Sequence, residues 1–161
     1  MKWQYQIAFV ALASKEIRRF LRIWQQTLIP PAMTMVLYFI IFGNLIGSRI
    51  GEMGGYDYMA YIVPGLIMMS VITSAYGNVS SSFFGNKFQR SIEEILVAPV
   101  PDSVILAGFV AGGVARGIMV GAIVTVLSLA FTTLAVHNLF IVVSVILMTA
   151  ILFSVGGFIN A

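Results

Sequence analysis

The only adjacent acidic residues in the sequence, Glu93 and Glu94, are the first candidates for acid–base chemistry. General acid–base catalysis requires groups that reach the same reacting atoms. Neighbouring side chains on a helix point about 100° apart, and no nucleophile or metal ligand accompanies this pair. We therefore interpret Glu94 as a weak surface ion-pair partner of Arg90, which lies four residues earlier.

Thiol chemistry and two kinds of metal site are excluded by residue counts. The chain has no cysteine and one histidine, His137. A disulfide, a thiol nucleophile, a sulfur-ligand metal site and a multi-histidine site within one chain therefore cannot form. A proton-relay role for His137 is less favoured than a solvated position, because His137 and Asn138 form a very short predicted external turn.

Composition predicts a membrane protein. Hydrophobic residues make up 60% of the 161 residues and charged residues 9%, against about 25% charged residues in soluble domains. Apolar runs long enough to cross about 30 Å of hydrocarbon recur along the chain, and such continuous runs favour helices. We predict an all-α polytopic membrane protein with about four transmembrane helices, an N-terminal interfacial helix and a cytoplasmic helix. The predicted segments of this single domain are residues 1–24 (interfacial helix), 27–48 (span 1), 58–82 (span 2), 84–98 (cytoplasmic helix), 103–136 (inner approach plus span 3) and 139–161 (span 4).

The first 24 residues are predicted to lie on the membrane rather than cross it. One face carries an apolar stripe of Trp3, Ile7, Val10, Ile17, Leu21 and Trp24, and the C-terminal part carries a basic band of Lys15, Arg18, Arg19 and Arg22. Such helices lie at the interface, with their cations among anionic headgroups. A plain juxtamembrane anchor remains an equally good interpretation.

A charged island at residues 82–102 separates two long apolar regions. A helix over residues 84–98 would place Phe84, Phe88, Ile92, Ile95 and Leu96 on one side and Lys87, Arg90, Ser91 and Glu94 on the other. Pro99 would end this helix. An amphipathic helix between two spans offers a binding surface for a soluble partner. A solvated loop helix without a partner explains these residues equally well.

The second half of the predicted second span is unusually polar. Its polar residues are Ser70, Thr73, Ser74, Asn78, Ser80, Ser81 and Ser82. Polar groups inside a membrane face other helices, a partner subunit or a water-lined path. Hydrogen bonding between helices is at least as good an explanation as a transport path.

Residues 103–136 are too long for a single span, at roughly 50 Å of helix. An arginine at the bilayer centre is costly, so we place Arg116 at the inner interface, with the span proper over residues 117–136 and an inner-leaflet approach over residues 103–115. Gly113, Gly117 and Gly121 recur every fourth residue and form a ridge for close helix contact. That ridge would serve intramolecular packing or a dimer seam.

The distribution of positive charge predicts the topology. Eight basic residues fall in segments that we place inside, namely Lys2, Lys15, Arg18, Arg19, Arg22, Lys87, Arg90 and Arg116, whereas Arg49 falls outside. The N-terminus and residues 84–98 are therefore predicted to be cytoplasmic. The net charge of +3 is interpreted as this topology signal and not as a nucleic-acid footprint, so no nucleic-acid partner is expected.

The island and its flanks resemble the permease subunits of type-2 ABC exporters. The resemblance rests on YIVPGL at residues 61–66 and RSIEEILVAPVP at residues 90–101, and it extends from the Pro30–Pro31 pair through residues 112–117. It implies a bacterial inner-membrane location and a transmembrane domain with about six spans. A chain of this length is then expected to be a fragment that lacks the last two spans.

The resemblance also implies partners. Residues 84–98 would be a coupling helix that docks into a separate ABC ATPase, with Lys87, Arg90, Glu93 and Glu94 as polar contacts and Phe88, Ile92 and Leu96 packing on the spans or the partner. Two permeases and two ATPases would form the transporter. Residues 108–117 lack the lysine and hydroxyl of a nucleotide-binding loop, so ATP and Mg²⁺ are expected on the partner and no cofactor or metal on this chain.

Two other function classes fit the residues less well. An intramembrane enzyme would need a constellation that the spans lack, such as an acidic pair or a serine–histidine couple. A passive channel or scaffold that oligomerises through the glycine ridge is the remaining alternative. The sequence identifies no substrate.

Overall fold

The computed structural model describes residues 2–133 and 138–161, and His137 lies outside them. Apart from one hairpin of two short strands, the described elements are helical. In chain order they are α1 (Lys2–Arg22), α2 (Trp24–Thr27), α3 (Ile29–Ile40), a π-helical segment (Ile41–Gly47), α4 (Ser48–Ile50), β1 (Glu52–Met53), β2 (Tyr56–Asp57), α5 (Tyr58–Phe88), α6 (Ser91–Val97), α7 (Asp102–Ser128) and α8 (Leu139–Ile159).

Four helical stretches are long and apolar enough to cross a membrane. They are Trp24–Gly47, α5, α7 and α8. The prediction of an all-α polytopic protein with four spans is confirmed. Pro30 and Pro31 occupy the first turn of α3, where a missing N–H removes no helical hydrogen bond.

The connection between the first two spans is a tight antiparallel hairpin. Glu52 pairs with Asp57 and Met53 pairs with Tyr56, and the turn between them is made by Gly54 and Gly55, both with positive φ. The Asp57 carboxylate then accepts the Met59 N–H at 3.1 Å. This contact satisfies one of the free N–H groups at the start of α5.

The interior of the bundle is formed by α5, α7 and α8. Four polar residues of α5, spaced by four, are buried, namely Ser70, Ser74, Asn78 and Ser82. Small side chains allow helix backbones to approach closely, which is the main source of helix association in lipid. The buried polar stripe of the second span therefore faces other helices of the same chain. Thr73 and Ser81 lie on the exposed side.

The ridge glycines of α7 face α5. A Cβ on Gly117 would lie 3.0 Å from the Ala75 Cβ, and one on Gly121 would lie 2.6 Å from a methyl of Val71. A Cβ on Gly113 would meet the side chains of Val79 and Ser154. The ridge is thus filled by α5 and α8 within this chain and is not available as a dimer seam.

The third span ends earlier than predicted. The helix α7 runs from Asp102 to Ser128, so the predicted approach over residues 103–115 and the first part of the predicted span form one helix, and the predicted end of the span at residue 136 is wrong. Arg116 lies within this helix, and its Nη2 donates to the Thr27 carbonyl at 3.2 Å. A polar partner of this kind lowers the cost of an arginine within an apolar helix.

One end of the bundle gathers α1, α6 and the end of α8. Lys15 Nζ of α1 donates to Asn86 Oδ1 at 3.4 Å, and Lys87 Nζ donates to the Ala161 carbonyl at 3.0 Å. Because α5 connects the β1–β2 hairpin to α6, the hairpin lies at the opposite end. Lys15 therefore shares one end of the molecule with Lys87 and Arg90, whereas Arg19 lies further along α5, beside Asn78.

Candidate functional site

The helix predicted over residues 84–98 is two helices, and this prediction is wrong in its extent. The helix α5 continues to Phe88, and α6 begins only at Ser91. Arg90, directly after the helix end, adopts a left-handed conformation with φ 57°, the conformation that ends many helices. The new helix starts with Glu93 and Glu94 in its first turn, where the helix dipole favours negative charge.

The break separates the two halves of the predicted apolar face. Phe84 and Phe88 stay on α5 and are 59% and 81% exposed. Ile95 of α6 instead packs against the cluster of Val79, Ile105 and Phe109. Of this predicted apolar face, Ile95 on α6 thus packs on the bundle, whereas Phe84 and Phe88 on α5 are exposed.

The exposed surface of this turn contains most of the predicted contact residues. Leu96 and Val97 are 59% and 85% exposed; of the two predicted packing surfaces for Leu96, the spans or the partner, this exposure leaves the partner. We define the α5–α6 surface as the exposed side chains of Phe84, Phe88, Arg90, Glu93, Glu94, Leu96 and Val97. A mixed charged and apolar patch of this kind is typical of a site for a protein partner.

Lys87 is directed differently from the rest of the predicted contacts. Its ammonium donates to the Ala161 carbonyl and lies 5.4 Å from the centre of the Phe83 ring. These contacts turn Lys87 toward α8. Among the predicted polar contacts, Lys87 therefore ties helices of this chain together.

We predict that Arg90→Gly slightly stabilises the protein. A left-handed conformation costs a residue with a Cβ about 1–2 kcal/mol, and glycine removes this cost at the expense of a more flexible unfolded chain. The free energy of unfolding in mixed micelles should rise by about 0.5 kcal/mol. Gln89→Gly is the matched control, because Gln89 has a right-handed conformation with φ −82°, and it should destabilise. A loss of stability in Arg90→Gly would contradict the assigned backbone conformation.

The N-terminal helix packs on α7 with a face beside its predicted apolar stripe, and most of the stripe is left exposed. Trp3, Ile7 and Val10 are 75%, 52% and 59% exposed, as a face toward lipid would be. The inward face contains Leu12, Ala13, Glu16 and Phe20, and it meets α7 at Gly108 and Gly112.

The basic band divides between surface and interior. Lys15, Arg18 and Arg22 are exposed, whereas Arg19 is turned inward. The Arg19 guanidinium donates to Glu16 Oε2 at 3.2 Å and to both the backbone carbonyl and Oδ1 of Asn78 at 3.1 Å. The sequence prediction missed Glu16 and Asn78 as partners. The three-residue spacing of Glu16 and Arg19 was the available signal.

Arg116 lies close to this group. Its Nη2 bonds the Thr27 carbonyl, and its Nε is buried without a hydrogen-bond partner among residues 2–133 and 138–161. Thr27 stands at the junction of α1 and the first span. Arg116 therefore fastens the third span to the start of the first span and does not extend freely toward solvent.

A groove of about 430 Å³ separates α1 from α6. Its walls are mostly apolar, with Lys15 and Glu94 at the edge, and the lining residues are Ala8, Ala11, Leu12, Lys15, Glu94, Ile95, Ala98, Val100, Val104 and Ile105. In the described part of the chain, no three His, Asp or Glu residues are grouped as a metal site would require.

Comparison with known proteins identifies the family. The model of the family described as ABC-2 type transporter matches residues 7–161. The inner membrane transport permease YadH of Escherichia coli strain K12 is 63% identical over 156 residues, which are 97% of this chain and 61% of the relative. The YadH permeases of Escherichia coli O157:H7 and Shigella flexneri give the same values. No solved structure matches. The chain spans about three fifths of the length of these relatives, and it belongs to the ABC-2 type transporter family.

Proposed function

We propose that this chain is the transmembrane permease part of an ATP-driven exporter of the bacterial inner membrane. The observation that carries the proposal is the family match over residues 7–161, joined to an exposed α5–α6 surface at the basic end of the bundle. A separate ABC ATPase subunit binds and hydrolyses ATP. The permease supplies the path across the membrane.

The orientation follows from charge. Lys15, Arg18, Arg22 and Arg90 are exposed, and Lys15 and Arg90 lie at the end of the bundle that carries α6, while Arg49 lies at the hairpin end. Positive residues accumulate on the cytoplasmic side, so α1 and α6 face the cytoplasm. This is the side on which a soluble ATPase meets the membrane.

The ATPase contact is the α5–α6 surface. Glu93, Glu94 and Arg90 provide charges that set the register of docking, and Phe88 and Leu96 provide apolar area. The short helix α6 is held on the bundle by Ile95. Force applied to α6 therefore reaches the ends of α5 and α7. Lys87 contributes indirectly, by fixing the end of α5 against the Ala161 carbonyl.

Further partners complete the proposal. Anionic lipid headgroups surround Lys15, Arg18 and Arg22. Two permeases pair in the transporter, and exposed apolar side chains such as Met33 and Leu37 of the first span offer a surface for this contact. A non-transporting scaffold is less favoured, because the glycine ridge that would assemble it is occupied inside the chain.

We predict that Glu94→Lys abolishes recovery of an ABC ATPase. The change places a cation on the proposed docking surface, where like-charge contacts cost several kcal/mol at an interface. The measurement is affinity purification of the tagged chain from native membranes, followed by mass spectrometry for proteins with a nucleotide-binding loop.

Glu52→Lys is the matched control, because Glu52 is an equally exposed glutamate at the hairpin end. It should recover the ATPase at the wild-type level. If the wild-type chain, and also a version extended to the length of its relatives, recovers no ATPase, the permease proposal fails. Equal recovery with Glu94→Lys and wild type would reject the α5–α6 surface as the contact.

A further inference from the structure

The proposed function assigns no role to the buried carboxylate of Glu16. Glu16 of α1 has no exposed surface, and its Oε1 has no hydrogen-bond partner within the described ranges 2–133 and 138–161. A buried carboxylate is costly unless it is paired. Among the described residues, its ion-pair partner is Arg19, at 3.2 Å. The cost of burying Glu16 must be offset by other favourable contacts, and these are made by the Arg19 guanidinium.

Arg19 bridges two helices with one rigid group. Its Nε donates to Glu16, and its Nη2 reaches the backbone carbonyl and the side-chain oxygen of Asn78, both at 3.1 Å. A guanidinium is planar and its donors have a fixed geometry. Binding at Glu16 therefore sets the direction in which Nη2 points at Asn78, which has no exposed surface either.

The close approach of α1 depends on a glycine of α7. A Cβ on Gly112 would lie 2.5 Å from the Glu16 Cβ and 3.6 Å from the Asn78 Nδ2. Any larger residue would push α1 outward. Gly112 thus leaves the space in which Glu16, Arg19 and Asn78 meet.

A second connection joins the same two helices nearer to α6. Lys15 Nζ donates to Asn86 Oδ1 at 3.4 Å, and the same oxygen accepts the Ser91 hydroxyl at 3.0 Å. Ser91 is the first residue of α6. The two contacts of α1 with α5 are eight residues apart on α5, on the segment that leads to the α5–α6 turn.

We infer that Arg19 is a positioning residue, oriented by Glu16, that locks α1 to α5 at Asn78 so that α1, α5 and α6 move as one body. The next step rests on the proposed function. In the exporter, a displacement of α6 by the ATPase would move α1 along the membrane surface. The exposed stripe of α1 would then transmit the movement to lipid and to the first span.

The absence of cysteine from the chain allows a direct test by spin labelling. Labels at Trp3→Cys on α1 and Met69→Cys on α5 report the position of α1 by double electron–electron resonance. Both sites are exposed, at 75% and 46%. A second pair, Met69→Cys with Ile159→Cys on α8, reports the bundle without α1.

Arg19→Lys is the decisive variant, because it keeps the charge but cannot contact Glu16 and Asn78 through a rigid fork. We expect the distance distribution between α1 and α5 to broaden and to shift to longer distances, while the distribution within the bundle is unchanged. Arg18→Lys, the exposed neighbour on α1, is the matched control and should give the wild-type distributions. Unchanged α1–α5 distances in Arg19→Lys would overturn the inference. A change in both pairs would also overturn it, because it would mean general unfolding.

The inference and the proposed function fail separately. Arg19→Lys leaves the α5–α6 surface intact, so it should recover the ATPase at the wild-type level while showing the altered α1 distance. Glu94→Lys should show the opposite, with wild-type distances and no ATPase. If no ATPase is recovered with any version, the exporter proposal falls and the labelling result still decides whether Arg19 holds α1.

Discussion

Gly157→Ala is expected to destabilise the protein strongly. A Cβ at this position would lie 2.6 Å from the Tyr76 carbonyl oxygen and 3.3 Å from the Tyr76 carbonyl carbon and Cα. These are backbone atoms of α5, so no side-chain rotation can relieve the clash, and α8 must move away from α5. Overpacking of this kind costs typically about 1–3 kcal/mol, and we expect the upper part of that range.

The measurement is unfolding of the purified protein in mixed micelles with increasing SDS, followed by circular dichroism. Gly156→Ala is the matched control, since Gly156 precedes Gly157 on α8 and a Cβ there meets nothing within 4 Å. Alanine favours a helix over glycine by about 1 kcal/mol, so Gly156→Ala should be neutral or stabilising. Equal stability of the two variants would contradict the close packing of α8 on α5.

Glu16→Ala is expected to have the second largest effect on stability. It removes the carboxylate that accepts the Arg19 Nε and leaves the guanidinium against Asn78 without a counterion. Breaking a buried ion pair costs about 3–5 kcal/mol. The Arg19 side chain is 35% exposed and regains part of its hydration, so we expect a loss of about 2 kcal/mol.

The same SDS titration tests this variant. Glu93→Ala is the control for loss of a glutamate, because Glu93 is exposed on α6, and surface changes usually stay within about 0.5 kcal/mol. Glu16→Gln should fall between Glu16→Ala and wild type, since an amide oxygen can still accept from Arg19 without the charge. Wild-type stability in Glu16→Ala would mean that Arg19 is held by Asn78 alone.

Several local features of the fold followed from the sequence. The four spans were predicted because hydrophobic length is a local property and each run must satisfy its own backbone in lipid. Prolines at the start of the first span and the glycine-rich turn at residues 51–57 were equally local signals. The family resemblance read from residues 61–66 and 90–101 agrees with the match over residues 7–161.

Helix ends within the island were not predictable in the same way. Residues 84–98 contain no internal proline, and Gly85 was not a sufficient breaker, so periodicity favoured one helix. The break at Arg90 depends on packing of Ile95 against Val79 and Phe109, which bends the chain back onto the bundle. Such contacts lie outside any local window.

The sequence by itself determined the class of this protein, the number of its spans and the end of the bundle that carries the basic residues. The tertiary structure alone decided which charges are turned inward. Arg19 and Asn78 are 59 positions apart, and Arg116 and Thr27 are 89 positions apart. Helix packing decides which residue pairs with a buried charge. A glycine such as Gly112 allows one particular helix to come close at that position. For this reason Arg19 resembled its exposed neighbours Arg18 and Arg22 in the sequence and differs from them in the fold.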